Sequence, residues 1–360
     1  MKKIVVGMSG GIDSSVTAWL LKQKGYQVIG IYIKCWNDKN LTGQCSSNTD
    51  FHDMRLVCQH LQIPYYTIDL EKEYKEQVFS HFLAKTQEGY TPNPDVLCNR
   101  AIKFGAFLQL AENLGAEYIA TGHYARIAEH DKQHALFKAV DKNKDQSYFL
   151  YNINRMVLDK VIFPLGCLTK IAVREIAHKI GLLNATKKDS TGICFIGEKN
   201  YRTFLKNYLP HNQGEVHTLS GEVKGFHEGV LLYTLGQRHG FSTHTAPKET
   251  SQPWYIVDKD LERNILYVAQ GRDNQALFKK SLLAKDLNWL IDMPVSATIT
   301  CQAKCRYRQE DQAVSLSLLT DNTAKVIFKN PQRAITPGQA IVFYQENLCL
   351  GGGTIDYTLD

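Results

Sequence analysis

The sequence predicts an α/β protein in three parts: an open, mostly parallel sheet flanked by helices over residues 1–210, a small β-rich domain over 211–275, and a terminal β domain over 276–360. Three observations carry this expectation. The first two hundred residues alternate short apolar, β-branched runs with helical patterns, the mark of βαβ units. Beyond Pro210 the texture changes to short alternating strands punctuated by turn residues. The chain length of 360 residues also exceeds the roughly 250 to 300 that one core serves.

In chain order, a strand is expected at residues 4–8, then a helix over 16–24 closed by Gly25 as a C-cap. Strand 28–33 precedes helix 51–61, and strand 65–70 precedes helix 74–86. An amphipathic helix over 101–114 runs into Gly115, and a fourth strand follows at 118–121. This is a Rossmann-like succession, and ligands of such sheets lie beyond the carboxyl ends of the strands. The loops after Met8, Ile33 and Thr121 are therefore where chemistry is expected. In the second half, strands are expected at 231–235, 254–257, 265–269, 297–300 and 314–318. A break near 274–280 leaves a terminal barrel or sandwich.

Composition excludes several classes. Apolar residues make up 44% and charged residues 22%, near soluble globular averages, so fibrous and disordered classes are set aside. The net charge is +6, with the positive excess concentrated in residues 1–210, which suits a polyanionic ligand. No apolar run approaches the ~18 to 20 residues of a membrane span, and the run 4–8 is too short for a secretory core. A cytoplasmic protein with no membrane partner is expected. Nine cysteines is an odd number, so at least one thiol is unpaired within the chain.

The first strand runs into Gly7-Met8-Ser9-Gly10-Gly11-Ile12-Asp13-Ser14, followed by a helix. Glycines allow a sharp turn that brings N–H groups to an anion, serine hydroxyls add donors, and the helix N-terminus adds positive dipole. Asp13 suits a magnesium ion held against phosphates. No Gly-Lys-Ser/Thr closes the string, so it is not a Walker A loop, and its glycine spacing does not fit Gly-x-Gly-x-x-Gly.

Two cysteines lie in unusual loops. Cys98 follows Asn93-Pro94-Asp95 and precedes the helix expected from Ala101, a position that stabilises a thiolate, with Arg100 and Lys103 nearby. Cys194 sits between Gly192 and Gly197 in a stretch that reads as no regular element. Two isolated cysteines fit a redox or sulfur-transfer pair better than zinc, which calls for paired spacing. Cys58, Cys301, Cys305 and Cys349 read as packing residues, the middle two sharing a strand face. Cys35 and Cys45 stay unassigned. Tyr307 between Arg306 and Arg308 on a strand is an arrangement that stacks a base and holds phosphates, although by itself it reads equally as a solvated strand face.

The glycine string resembles the PP-loop of the ATP pyrophosphatases. With Asn93-Pro94-Asp95, Cys98-Asn99 and 191–197, the whole chain resembles the bacterial tRNA-specific 2-thiouridylases. The likeness extends to 120–124, 144–146, 233–240, 253–255, 306–308, 336–339 and 351–353, in family order. It implies a PP-loop domain, a β-rich central domain and a C-terminal β-barrel. It also implies ATP and Mg²⁺ as cofactors, ATP lying on Gly7 to Ser14, Ile33 and Gly122. Asn93, Pro94 and Asp95 would approach the target base. His123, Lys144, Asp145, Gln146, Arg306, Tyr307 and Gln339 would contact tRNA. Cys98 would be the nucleophile and Cys194 the persulfide carrier, leaving a Cys98–Cys194 disulfide. The implied partners are tRNA, at the wobble uridine of its anticodon loop, and a persulfide donor protein; the free enzyme is expected to be a monomer. Ile33 stands where the family carries methionine, and Cys35 and Cys305 are additional thiols. Two other readings remain at this stage: a PP-loop ligase that uses no sulfur, and a tRNA-binding module without catalysis.

Overall fold

The computed structural model describes residues 1–36, 46–189, 201–243, 252–293 and 298–359. Five parallel strands form the first sheet: β1 (Lys3–Gly7), β2 (Gln27–Lys34), β3 (Tyr65–Asp69), β4 (Tyr118–Ala120) and, after the hairpin of β5 (Ala125–His130) and β6 (Gln133–Lys138), β7 (Val161–Ile162). Their order is β3-β2-β1-β4-β7. The chain turns to opposite sides of β1, so the ligand crevice opens between the ends of β1 and β4.

Alternation along β1 shows why the sheet is covered on both faces. Ile4 and Val6 join the cluster of Val16, Leu21, Val173 and Ala177, supplied by helix α1 (Ile12–Gln23) and the helix Lys170–Lys179. Val5 points to the other face, among Tyr74, Val78, Phe82, Ile102 and Phe107. The helix α2 (Ser46–His60) adds Met54, Val57 and Cys58 to the first face.

The second sheet is mixed and lies within 214–270: Ser242–Thr243, Val223–His227, Gly214–Thr218, Ile265–Gln270 and Trp254–Asp260, in that spatial order. The expected strand at 231–235 is instead a short 3₁₀ turn, Val230–Leu232. Val230 and Leu232 there are buried as a plug beside the sheet rather than paired into it. The terminal sheet closes, because Phe278–Trp289 pairs with both Ala324–Arg333 and Leu348–Thr358. Thr298–Lys304, Gln312–Leu318 and Ala340–Gln345 complete a six-stranded antiparallel barrel. No described helix is long and apolar enough to cross a membrane.

The β5–β6 hairpin leaves the parallel sheet and joins the barrel sheet, where Phe137 pairs with Leu348. Tyr148 and Tyr151, both buried, bury their rings on the same seam. The Tyr148 hydroxyl donates to the carbonyls of Cys305 and Ala340, and the Tyr151 hydroxyl to that of Gly353. Each buried hydroxyl is thus satisfied, which removes the penalty such groups otherwise carry.

A second seam joins the central sheet to the first domain. Lys259 turns its ammonium inward, donating to the carbonyls of Gly89 at 2.8 Å and Tyr233 at 3.3 Å. Burial depresses its pKa to about 8 from the ordinary 10.5. The folded state therefore releases this proton first, and between those two pH values the unfolded chain holds more protons, so stability gains with rising pH. The melting temperature of the wild type relative to Lys259→Met is expected to climb between pH 8 and 10. A difference that stays flat across that range contradicts the inward placement of the charge.

Candidate active site and RNA face

The loop between β1 and α1 is shaped by Gly10, whose φ of +73° lies in the region glycine favours. Gly11 is the N-cap of α1 and makes no side-chain cap bond, which leaves the helix start facing the crevice. Ser14 instead ties the loop to itself, accepting from the Ser9 N–H at 3.2 Å and donating to the Gly11 carbonyl at 3.1 Å. Met8 and Ile12 are buried beneath. Gly122, after β4, closes the other wall. A Cβ there would lie 2.8 Å from the Ser14 nitrogen and 2.9 Å from the Asp13 carbonyl carbon, so only glycine permits this approach. Ile33 ends β2 as a buried residue on the same edge.

Asp13 sits at the mouth of this crevice. Its Oδ1 accepts from the Tyr124 hydroxyl at 2.8 Å and from the Lys170 ammonium at 2.7 Å. Lys170 is buried, and its amine also pairs with Asp189 at 2.8 Å. Asp189 holds Lys144 and Arg174 as well. Burial alone would raise the Asp189 carboxyl, but the two lysines outweigh it and hold it down at about 2. Lys187 reaches the Gly10 carbonyl at 3.3 Å while pairing with Asp50 and Asp53. Asn184 donates to the Gly10 carbonyl and to Ser15 Oγ, both at 3.0 Å.

Tyr124, Lys170, Arg174, Asn184, Lys187 and Asp189 were not singled out from the sequence. One signal was present, the cluster Lys187-Lys188-Asp189 directly before the glycine-flanked cysteine segment. The buried Lys170 had none, because its partners lie 157 and 19 positions away.

The loop before Cys98 is built by a cap. Asn93 accepts from the Asp95 N–H at 3.1 Å and Pro94 starts the helix Pro94–Leu97, so the helix begins seven residues earlier than the sequence suggested. Cys98 consequently lies inside the helical run, as the first residue of the π-helical stretch Cys98–Ala106, rather than ahead of a helix. Its thiol is fully buried. Wide turns of this kind recur at functional sites. Cys194 and Cys45 lie outside the described residues, and no disulfide joins the described cysteines.

Several residues expected at RNA converge here. Gln339 donates to the Thr91 carbonyl at 2.6 Å, and the Thr91 N–H to Pro337, which sets the barrel turn against the loop of Asn93, Pro94 and Asp95. Asn99 donates to the Phe149 carbonyl, and the Phe149 ring packs at 4.6 Å on Tyr307. Arg306 and Tyr307 stand in a turn past the end of the strand Thr298–Lys304, not on the strand, and Cys305 is likewise beyond it. Lys144, Asp145 and Gln146 lie in the turn that leads into the short helix Ser147–Leu150. Their side chains have different surroundings. Lys144 pairs with Asp189; Asp145 is buried and accepts from Ala139 and Ser147; Gln146 accepts from the Tyr124 N–H. His123 is buried against Phe104 and Phe163, its Nδ1 2.7 Å from Thr121 Oγ1. Burial first, then Lys103, holds its pKa well below the ordinary value.

A glycine turn at the helix start, placed at the switch point of a parallel sheet and ringed by lysines, defines a nucleotide-handling α/β enzyme. The comparisons give the same class. Residues 2–198 match a family model described as tRNA methyl transferase HUP domain, 202–270 the tRNA methyl transferase PRC-barrel domain, and 279–355 the aminomethyltransferase beta-barrel domain. A tRNA-specific 2-thiouridylase MnmA of Alkaliphilus oremlandii is 52% identical, covering 99% of this chain and 98% of its own length. Those of Geobacillus kaustophilus and Listeria monocytogenes are also 52% identical, each over at least 98% of this chain and 94% of the relative. The chain belongs to the tRNA-specific 2-thiouridylase family.

Gly122→Ala is expected to force the two crevice walls apart. Overpacking of this kind costs about 1 to 3 kcal/mol, and the displaced loop should weaken ATP binding at least tenfold. Calorimetric titration with a non-hydrolysable ATP analogue reads the effect, and unaltered affinity would exclude the close wall from the nucleotide site.

Proposed function

We propose that this chain, a tRNA-specific 2-thiouridylase by family, performs its reaction with ATP on the Ser9 to Ser14 loop and the tRNA wobble uridine beside Asn93, Pro94 and Asp95. The observation that carries this reading is the glycine turn at the uncapped start of α1, which Gly122 approaches so closely that no Cβ fits between them. The loop amides and Lys170 meet the phosphates, and O2 of the uracil attacks the α-phosphorus, breaking its bond to the β-phosphate oxygen and releasing pyrophosphate.

Residues present fit a magnesium ion only as a shared site. Asp13 offers a carboxylate at the crevice, and no group of three metal-ligating side chains exists among the described residues. An ion there would be held by Asp13 and phosphate oxygens, as Mg²⁺ commonly is. It would supply charge neutralisation at the departing pyrophosphate.

The adenylated C2 then takes sulfur. The terminal sulfur of a persulfide on Cys194 bonds to C2 and AMP leaves with the oxygen. Cys98 thiolate next attacks Cys194 Sγ, the Cys194–S bond breaks with its electrons left on the new 2-thio group, and a Cys98–Cys194 disulfide results. Two electrons from an external thiol reductant restore the enzyme. A persulfide donor protein supplies the sulfur. The wobble base leaves its stack at little cost because it lies in a single-stranded loop. Lys144 and Tyr307 face that loop, and Gln339 sets the barrel turn beside it.

Mass spectrometry of tRNA nucleosides after incubation with ATP and a persulfide donor tests the reading, a gain of one sulfur at uridine being expected. Asp13→Ala is expected to abolish conversion of ATP to AMP while the protein stays folded; wild-type pyrophosphate release by it removes Asp13 from the site. Cys98→Ser and Cys194→Ser are each expected to stop thiolation from persulfide yet permit adenylation. Substantial thiolation by either variant contradicts the two-cysteine scheme.

A further inference from the structure

The loop 234–240 stands out in the sequence, and the chemistry above gives it no part. It is held rigidly. The Gly236 N–H donates to Ile256 at 2.7 Å, the Ile256 N–H to Gln237 at 3.0 Å, Gln237 Nε2 to the His239 carbonyl at 2.6 Å, and the Tyr233 hydroxyl to Gly240. Gly236 has φ +80°, and a Cβ there would lie 2.6 Å from Ala334 Cβ, 3.4 Å from Arg333 Nη1 and 3.7 Å from Arg306 Nη2. Two guanidinium groups of the barrel thus close on one glycine of the central loop.

They are used differently. Arg306 Nη2 donates to the carbonyls of Leu235 and Ala334 and to Thr336 Oγ1, at 2.9 to 3.0 Å, which locks the loop to the barrel. Arg333 lies over the Tyr255 ring at 4.7 Å and donates through Nε to the Arg272 carbonyl at 3.1 Å, while its Nη2 is buried with no hydrogen-bond partner. Arg238, at the tip of the loop, and Arg272 are exposed. Among the described residues none of Arg238, Arg272, Arg306, Arg308 and Arg333 pairs with a carboxylate, although Asp273 adjoins Arg272. Arg155, Arg174, Arg202 and Arg263 elsewhere each do, whereas Arg100 and Arg126 are met by Asn152 and the Lys138 carbonyl. Burial, then repulsion from Arg333, lowers the Arg306 pKa. Arg306 and Arg333, fixed side by side with no counter-charge among the described residues, are unfavourable unless an anion completes them.

We propose that Arg333, with Arg238 and Arg272, forms a phosphate-binding site at the seam of the central sheet and the barrel, and that it takes a backbone phosphate of the RNA substrate. Arg306 is its positioning residue. The site extends the RNA contact into the central domain and rests on the tRNA reading above. Guanidinium suits it, since a planar fork receives phosphate oxygens in pairs. A phosphate contact positions RNA without reading its sequence.

The test is tRNA binding by the full-length protein at several salt concentrations. Arg333→Gln and Arg238→Gln are each expected to lower the slope of log Kd against log salt by about one and to weaken binding several-fold at low salt. Arg333→Lys is expected to restore the slope, because it keeps the charge. Arg263→Gln, in the same domain but paired with Asp260, is expected to change nothing. A wild-type slope in both glutamine variants, or equal losses for Arg333→Gln and Arg333→Lys, overturns the site. Arg238 is exposed, so its variant decides the matter even where Arg333→Gln folds poorly. A wild type that binds no tRNA at all is a different result and overturns the function reading instead.

Discussion

The structure depends on one antiparallel excursion. After β4 the chain does not return directly to the parallel sheet but runs out through β5 and β6 to the barrel, then comes back to β7. Lys138, at the end of β6, secures it: its buried amine donates to Asp311 and to the Glu346 carbonyl, and lies 4.1 Å from the centre of the Tyr344 ring. Asp311 is partly exposed, so breaking this pair costs less than the about 3 to 5 kcal/mol typical of a fully buried one. Because the excursion begins at Gly122 and Tyr124, the same contacts fix both the nucleotide crevice and the barrel face.

The crevice itself is neutral before any substrate arrives. Lys144, Lys170, Arg174 and Lys187 are already matched by Asp13, Asp189, Asp50 and Asp53. This arrangement lets cations be buried near the phosphate loop without the penalty of an isolated charge. It also means that a triphosphate is received by exchange of partners rather than by empty donors. Such exchange favours a ligand that brings its own cation for the carboxylates it displaces.

Much of this was legible in the sequence because it is local. The strand, glycine loop and helix at residues 3–23 follow from periodicity and from the conformational needs of Gly10. Asn93 and Pro94 carry a cap signal that was present but read too late in the chain, since the two prolines suggested a loop. Residues 231–235 failed for another reason: their apolar run is short, and packing of Val230 and Leu232 overrode the strand pattern. What could not be read was long-range. Nothing near Lys170 announces Asp13, and nothing near Phe137 announces Leu348.

The excursion also bears on how the chain is made. The outer edge of strand β6 and the rings of Tyr148 and Tyr151 find partners at Leu348, Cys305, Ala340 and Gly353, which leave the ribosome about 150 to 210 positions later. Until then the first domain presents an unpaired sheet edge and apolar side chains to its surroundings, a state in which nascent chains associate wrongly. The domain order along the chain is therefore not an order of independent maturation, and the crevice reaches its final shape only after the barrel strands have been made.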